Sequence, residues 1–369
     1  MHANGCINRL VPEPGPILFH NCANVCIKNG VSMSATIKDI AKIVGVSPST
    51  VSRVINGSAP ISGEVTAKIR EAMRELDYHP NARARSFATG ITNTAGLVMN
   101  ASNETTFSNS FFNRSVFAIE KVLQDHAYNL LIANDNGRSD SQIMDLVQGK
   151  KVDGLIIPSS SLDNRLVCFL QDAKFPFVVM GEPARRAREV PWVDVDNEQG
   201  AVEGTEELLR SGYPEVVLIA DDDTTVFAGN RIKGYRKAVQ QRCKEQVVMA
   251  HHRYEDLGRR LVKETGSLQN KGFLCSSNEI AFYTRKALKE LGIAVPGDAG
   301  IVTFDNYPLA AYMDPPFTAI DVDTYQLGKK AAEMLMECMH GKKTARHQLI
   351  RTKLLVRASS MKNRREGGQ

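Results

Sequence analysis

The chain has 369 residues, 43% of them hydrophobic and 24% charged, with a formal net charge of +5. This composition is typical of globular proteins and excludes a largely disordered chain, and the length suffices for two or three packed units. The small excess of positive charge does not by itself indicate a partner, so its distribution along the chain matters more.

Residues 1–34 show no usable periodicity and contain Pro12, Pro14 and Pro16. They lack the basic start and long apolar stretch of a signal peptide, and the sequence holds no apolar run of the roughly 18 residues that span a bilayer. We therefore expect a cytoplasmic protein that does not enter a membrane. A regular pattern begins at "MSATIKDIAK", so we expect this leader to be disordered or to lie upstream of a true start at Met33.

The seven cysteines predict neither disulfides nor a metal site. Three lie in the leader, where His20, Cys22 and Cys26 lack the second pair of ligands that a zinc site needs. The other four are scattered, which is typical of free thiols in a reducing cytoplasm: Cys168, Cys243, Cys275 and Cys338. We expect no metal and no cofactor.

The basic residues are concentrated near the start of the regular pattern. From Ala35 to Gly90 there are eight Lys and Arg residues against five Asp and Glu residues, whereas from Ile91 onward there are 36 against 35. A compact basic unit ahead of a neutral body favours an anionic partner for that unit, with a solvated charged surface as the alternative.

Three short helices are predicted in this basic unit. Thr36 can cap the first helix with Asp39 three residues later, and Gly45 can end it in the left-handed conformation. Ser47 caps a second helix with Pro48 in its first turn, and a third begins at Ser62 or Gly63.

The second helix presents a polar face. Val51, Val54 and Ile55 form its apolar side, so Ser49, Thr50 and Arg53 must share the outer one. Two helices joined by a tight turn form a helix-turn-helix unit, whose second helix enters the major groove of DNA, where an arginine can bind guanine. A plain three-helix bundle is the alternative.

The stretch "NARARSFATG" follows the third helix. Asn81 can cap two helical turns over 82–88, but so short a helix is marginal alone in water and needs a surface to fold upon. Arg83 and Arg85 could contact phosphates or the minor groove, and Phe87 could enter a base step and kink DNA. The alternative is a flexible linker.

From Thr94 onward, short apolar runs alternate with amphipathic stretches. The runs are "AGLVM", "YNLLIA", "DGLIIP", "FVVM", "VVLIA", "GFLC" and "GIVTF". This rhythm predicts parallel sheets covered by helices, with ligands at the carboxyl ends of the strands. Because the region is long for one sheet, we expect two lobes with a cleft between them.

Polar residues follow several of these runs and could line the cleft. They include Ser159, the acidic run from Asp221 to Asp223, Asn278 and Asp305, while Arg231 opens a helix. Arg and Asp can hold neighbouring sugar hydroxyls, and an aromatic ring can cover an apolar sugar face. The aromatic candidates are Phe111, Trp192 and Tyr254. The acidic run could alternatively bind a cation, although a solvated loop is the simpler reading.

The sequence "TIKDIAKIVGVSPSTVSRVINGSAPISGEVTAKIREAMRELDYHPNARARSF" resembles the DNA-binding headpiece of the LacI family, the lactose and galactose repressor group. "KVDGLIIPSS", "RIKGYRKA" and "SSNEIAFYTRKALKELGIAVPGDAGIVTFDNYPLAAYMDPPFTAI" extend the resemblance from Thr36 to about Leu355. It implies a helix-turn-helix headpiece and a two-lobed periplasmic-binding-protein-like α/β body with parallel sheets. The implied segments are a leader (1–34), the headpiece (35–80), a hinge helix and linker (81–92), the body (93–358) and a disordered tail (359–369).

The resemblance implies a homodimer that binds a near-palindromic operator in double-stranded DNA. The expected DNA-binding residues are Thr36, Ser47, Pro48, Ser49, Thr50, Arg53 and Asn56 in the headpiece and Asn81, Ala84 and Phe87 in the hinge. Pro48 stands where many members carry a base-reading side chain, and Phe87 where leucine is usual, so the half-site preference stays open.

In the body, Arg231, Asn278 and Asp305 match positions that hold the effector in sugar-responsive relatives. "TTFSNSFF", "FPFVVMGEP" and "WVDVDN" resemble the maltose-operon regulators, so maltose or a related glucoside is the expected effector and repression the expected mode. The alternatives are activation through the same residues and an extracytoplasmic sugar-binding protein. An enzyme is not expected, because the sequence lacks G-x-G-x-x-G, G-x-x-x-x-G-K-[ST], H-E-x-x-H and G-x-S-x-G.

Overall fold

The computed structural model describes residues 35–80, 86, 89–99, 110–134, 139–184, 189–342 and 344–362. The chain divides into two units, Met1–Ala84 and Arg85–Gln369, which we call the headpiece unit and the body. The predictions for the leader, for Asn81, Ala84 and Phe87, and for residues 363–369 lie outside the described residues, as does the side chain of Phe111.

The headpiece unit contains the three predicted helices, α1 (Ile37–Val44), α2 (Pro48–Asn56) and α3 (Gly63–Glu75). Asp39 Oδ2 accepts hydrogen bonds from the backbone N–H of Thr36, at 2.9 Å, and from the Thr36 hydroxyl, at 2.7 Å. Gly45 ends α1 at a φ of 74°, the left-handed conformation expected of it.

One apolar cluster holds these three helices together. Its fully buried members come from all three helices: Ile40, Ala41, Val51, Ile69 and Ala72. Because so small a unit buries little apolar surface, each of these contacts matters to its stability.

The body consists of two α/β lobes, as the alternation of apolar runs predicts. The first lobe contains β1 (Thr94–Met99), α4 (Ser110–Asp125), β2 (Asn129–Asn134), α5 (Ser139–Gln148), β3 (Gly154–Pro158), α6 (Asn164–Asp172), β4 (Phe177–Met180) and β5 (Trp192–Val195). The second contains α7 (Asn197–Arg210), β6 (Glu215–Ala220), α8 (Val226–Val239), β7 (Val247–Met249), α9 (Leu257–Thr265), β8 (Lys271–Cys275), α10 (Asn278–Glu290), β9 (Ala299–Phe304) and β10 (Thr318–Asp321). The chain then returns through α11 (Thr324–Met339) and β11 (His347–Ile350) in the first lobe to β12 (Lys353–Leu355) in the second.

Each lobe is built around one sheet. The first sheet is parallel, with strand order β11-β5-β4-β3-β1-β2, and the second has the order β12-β10-β9-β8-β6-β7, in which β12 alone pairs antiparallel. The chain therefore crosses between the lobes after β5, after β10 and between β11 and β12. Crossings at the carboxyl ends of strands place the polar residues of those ends beside the space between the lobes.

The beginning of the predicted disordered tail belongs to the body instead. Ser359 and Ser360 are fully buried. The Ser359 hydroxyl donates to the Ile301 carbonyl at 2.6 Å and accepts from the Thr318 N–H at 2.8 Å. The prediction that disorder begins at 359 is wrong for residues 359–362, because buried hydroxyls with backbone partners anchor this segment.

In the part of the chain that the structure describes, no helix combines the length and the apolar character needed to cross a bilayer.

The crossing of α7 and α8 gives a test of the packing. A Cβ atom added at Gly234 would lie 2.1 Å from the Glu198 carbonyl oxygen. Because this neighbour is backbone, the helices must separate, and we expect Gly234→Ala to lower the free energy of unfolding by about 1–3 kcal/mol. Urea unfolding followed through the fluorescence of Trp192, the one tryptophan of the chain, measures the change.

Gly229 in the same helix supplies the control. A Cβ atom added there meets no heavy atom within 4 Å, so Gly229→Ala should be neutral or stabilise by up to about 1 kcal/mol. Equal destabilisation by the two variants would contradict the close approach of α7 and α8.

Candidate functional site

The amino end of α2 is organised by hydroxyl groups. The Ser47 hydroxyl accepts a hydrogen bond from the Thr50 N–H at 3.2 Å and lies 2.7 Å from the Ser49 hydroxyl and 2.9 Å from that of Thr50. Pro48 occupies the first helical position, where a missing N–H costs nothing. The helix therefore begins with small side chains that allow its amino end to approach another surface closely.

The exposed side of α2 carries the residues that the sequence places there. Ser47, Pro48, Ser49 and Arg53 are exposed and Thr50 is partly buried, whereas Val51 is buried in the headpiece core. Within the described residues, the Arg53 guanidinium has no hydrogen-bond or ion-pair partner and is available to a ligand.

Two other predicted DNA-binding residues make contacts within the headpiece. The Thr36 hydroxyl donates to Asp39, and Asn56 Nδ2 donates to the Ser52 hydroxyl at 3.2 Å. These side chains are thus partly occupied by local structure.

A cavity of about 400 Å³ lies between the two lobes of the body. Its polar lining comes largely from the carboxyl ends of strands in both sheets, as expected for ligand sites in such folds. These polar lining residues are Ser159, Glu182, Asp194, Asn197, Asp221, Asp222, Arg231, His252, Ser276, Ser277 and Asp305.

The centre of the lining is Arg231, which is buried in the first half of α8. Its Nε donates to Asn197 Oδ1 at 2.8 Å and its Nη1 to the Ser276 carbonyl at 2.5 Å. The guanidinium carbon lies 3.9 Å from the centroid of the Phe304 ring. Burial lowers the pKa of Arg231, and the carboxylates of Asp305 and Asp194 act in the opposite direction.

Asp305 follows β9 in the left-handed conformation, with a φ of 67°. Its N–H donates to the Ile320 carbonyl at 3.0 Å, while its Oδ1 is buried and has no partner among the described residues. Burial raises the pKa of Asp305, opposed by the neighbouring Arg231 charge. An unpartnered buried acceptor is costly, and a ligand hydroxyl would satisfy it.

A hydrogen bond to a lining residue joins the two lobes. Asn230 Nδ2 in α8 donates at 2.7 Å to Oε2 of Glu182, which follows β4. The Glu182 N–H in turn donates to Asp194 Oδ2 at 3.0 Å. Burial raises the pKa of Asp194 and outweighs the hydrogen bonds from backbone N–H groups, which act in the opposite direction.

The structure brings together some of the predicted effector residues and separates others. Ser159, Arg231 and Asp305 all line the cavity. Tyr254 lies behind the lining: its hydroxyl donates to Asp221 Oδ1 at 2.9 Å, and its ring stacks on Tyr283.

Asn278 also lies outside the cavity lining, as the first residue of α10, with a buried Oδ1 that has no partner among the described residues.

Trp192 is a correction to the sequence prediction. It is buried in the apolar core of the first lobe and stacks on His347, because it is the first residue of β5, whereas the cavity lies at the carboxyl end of that strand, beside Asp194 and Val195.

Several lining residues were missed by sequence reasoning. Glu182, Asp194, Asn197 and His252 were not singled out, although Asp194 interrupts the otherwise apolar strand β5. A charged residue at a buried strand position is a signal that could have identified it.

Comparison with known proteins agrees with this architecture. Residues 36–81 match the family described as bacterial regulatory proteins, lacI family, and residues 205–360 match the periplasmic binding protein-like domain.

Three individual proteins illustrate the similarity. The ribose operon repressor of Haemophilus influenzae is 32% identical over 315 residues, covering 82% of this chain and 91% of that protein. The HTH-type transcriptional regulator MalR of Streptococcus pneumoniae is 29% identical over 345 residues, with coverages of 88% and 99%. A solved structure described as the transcriptional regulator CelR-cellobiose complex is 26% identical, has a TM-score of 0.65 and covers 88% of this chain and 99% of its own. The chain therefore belongs to the lacI family of bacterial regulatory proteins.

Proposed function

We propose that this protein is a sequence-specific DNA-binding transcriptional regulator, acting as a repressor of carbohydrate-utilisation genes, whose operator affinity is controlled by a small sugar bound between the lobes of its body. One observation carries the sugar part of the proposal: a buried arginine and an aspartate with an unpartnered carboxylate oxygen line one cavity. A sugar hydroxyl can accept a hydrogen bond from the arginine and donate one to the carboxylate.

The headpiece supports the DNA part of the proposal. The small side chains of Ser47, Pro48 and Ser49 let the backbone N–H groups at the start of α2 approach phosphates, since a helix amino end attracts anions. Arg53, exposed and unpaired within the described residues, can form two hydrogen bonds to guanine O6 and N7. Thr50 and Asn56 complete the proposed contacts of this helix, together with Thr36 at the start of α1.

The hinge contacts remain part of the proposal on sequence grounds. Asn81 and Ala84 would belong to a short helix in the minor groove, and Phe87 would insert between base pairs. Because the target is chromosomal DNA, we propose that the protein acts in the cytoplasm.

The effector is proposed to be maltose or a related glucoside. The sequence resemblance to maltose-operon regulators favours it, and the structurally similar CelR protein is described in complex with cellobiose. Ser159, Arg231 and Asp305 would contact its hydroxyls. Asn278, Tyr254 and Phe111 are kept as further candidates of this site, with Tyr254 acting through Asp221.

Control of DNA binding would follow from the position of the two lobes. A sugar that contacts both lobes would favour the one arrangement of the lobes in which it makes the most contacts. In that arrangement the hydrogen bond between Asn230 and Glu182 would either be kept or be replaced by hydrogen bonds to the sugar. Coupling of about 1–3 kcal/mol would change operator affinity by roughly 5- to 150-fold.

We further propose that the protein acts as a homodimer. The body exposes large apolar side chains on both lobes: Phe117 and Ile132 on the first, and Leu291, Leu309 and Tyr312 on the second. A surface that another chain covers would bury such groups, and a two-fold dimer matches a near-palindromic operator.

The role of Arg53 can be tested with duplexes selected by the wild-type protein from random DNA. Arg53→Ala should cost about 1–3 kcal/mol of affinity for the selected sequence and relax the preference at one base pair. Arg53→Lys keeps the charge but lacks the planar fork. It should therefore retain more affinity for unrelated DNA while losing the same base preference. Selection of an unchanged sequence by Arg53→Ala would contradict a contact between Arg53 and a base.

The role of Asp305 can be tested by calorimetry with maltose and cellobiose. Asn tolerates the left-handed conformation, so Asp305→Asn preserves the backbone while removing a charge-assisted hydrogen bond. We expect sugar affinity to fall roughly 10-fold or more, with operator affinity in the absence of sugar unchanged. Asp223, an exposed acidic residue outside the cavity lining, supplies the control variant Asp223→Asn. Equal sugar affinity in wild type and Asp305→Asn would contradict the assigned site.

A further inference from the structure

Residues 356–362, the last described part of the chain, contact the loop that follows β9. Arg357 Nη2 donates to Asn306 Oδ1 at 2.8 Å, and its Nη1 donates to the Phe317 carbonyl at 2.7 Å. These two bonds join positions 51 and 40 residues apart in sequence. Arg357 therefore ties the loop after β9 to the start of β10.

The backbone of Arg357 is itself fixed. Its N–H donates to the Thr318 hydroxyl at 2.8 Å, and that hydroxyl also lies 2.8 Å from the Arg357 carbonyl, to which it donates. The Ser359 hydroxyl accepts a hydrogen bond from the Thr318 N–H at 2.8 Å, and the Ser360 hydroxyl lies 2.7 Å from the Thr318 hydroxyl. A guanidinium carried on so constrained a backbone can hold its partner in one place.

Asn306 directly follows two residues that contribute to the cavity. Phe304 supplies the ring beneath the Arg231 guanidinium, and Asp305 lines the cavity itself. Asn306 comes next and is fixed by Arg357. An anchor at Asn306 therefore acts on the residue immediately before it.

An anchor beside Asp305 matters because the backbone of this residue lies in the left-handed region, at a φ of 67°. An aspartate tolerates this region better than most residues, but neighbouring contacts still help to hold it there. The bond from its N–H to Ile320 fixes one side of the residue, and the Arg357 contact fixes the other. Without the second anchor, Asp305 could relax and its carboxylate could leave the side of Arg231.

We propose that Arg357 is a positioning residue of the cavity, which holds Asp305 in place by anchoring Asn306. The identity of the ligand rests on the proposed function. The anchoring of Asp305 by Arg357 does not depend on that identity. Arg357 lies two residues beyond β12, which the chain enters directly from β11 of the first lobe. Arg357 thus also connects the chain segment that passes from β11 to β12 with the loop that contains Asp305.

The first test measures amide hydrogen exchange in the full-length protein without sugar. Arg357→Ala and Asn306→Ala should each speed exchange of the Asp305 amide at least about fivefold, because each removes the same bond. The double variant should add little to either single one. Asn306→Ala keeps the other contacts of Arg357, so its result stands even if Arg357→Ala unfolds the lobe.

Arg285 provides the matched control. Its Nε donates to the Asp314 carbonyl at 3.2 Å in the same lobe, so Arg285→Ala removes an arginine bond that does not reach Asn306. This variant should leave Asp305 exchange unchanged. Unchanged Asp305 exchange in Asn306→Ala, or an equal rise in Arg285→Ala, would overturn the proposal.

The second test measures the affinity for maltose and cellobiose by calorimetry. If wild type binds either sugar, Asn306→Ala should weaken that binding at least about fivefold while Arg285→Ala does not, and unchanged affinity in Asn306→Ala would overturn the proposal. If wild type binds neither sugar, the proposed effector class fails, and the exchange test still decides whether Arg357 positions Asp305.

Discussion

The buried charge of Arg231 is the constraint on which the arrangement of the body depends. A guanidinium group removed from water is destabilising unless hydrogen bonds and opposite charges surround it. Here those partners come from separate places in the chain: the amide of Asn197, the carbonyl of Ser276 and the carboxylate of Asp305. Asp194 adds a carboxylate from the first lobe. The carboxyl ends of strands in both sheets must therefore meet at this point.

The same arrangement leaves one carboxylate oxygen of a lining residue without a partner among the described residues. Asp305 Oδ1 is buried and has no partner among the described residues, so part of the free energy of binding can come from satisfying an acceptor that folding left unpaired. Because Asp194 and Glu182 belong to one lobe and Arg231 to the other, a ligand at this point interacts with both. Its affinity can then depend on the angle between the lobes, which is the physical requirement for a regulated switch.

Much of the architecture could be predicted from local sequence. The cap formed by Thr36 and Asp39, the left-handed Gly45 and the proline after Ser47 define α1 and α2 because each depends on neighbouring residues only. The longer buried strands also follow from their apolar runs. The short strands β5, β7, β10, β11 and β12 were not predicted, since three or four residues carry too little pattern unless, as in β4, four apolar residues follow one another.

The candidate site was only partly predictable for the same reason. Asp305 follows a strand, where polar residues are expected to meet a cavity. Arg231, which was expected to open a helix, lies inside α8, which begins at Val226. Trp192 was wrongly placed because it begins β5, whereas the cavity lies at the carboxyl end of that strand, which Asp194 and Val195 reach. Glu182 and Asn230 lie 48 positions apart, and nothing in the local sequence indicates that they meet between the lobes.

The most direct test of the account is the effect of maltose and cellobiose on the complex between wild-type protein and its selected operator. Fluorescence anisotropy of labelled duplex, measured with and without saturating sugar, gives the two operator affinities. The account predicts that a sugar which binds the body changes operator affinity by roughly 5- to 150-fold, with a decrease expected for a repressor that sugar releases. A sugar that binds the body tightly and leaves operator affinity unchanged would contradict it.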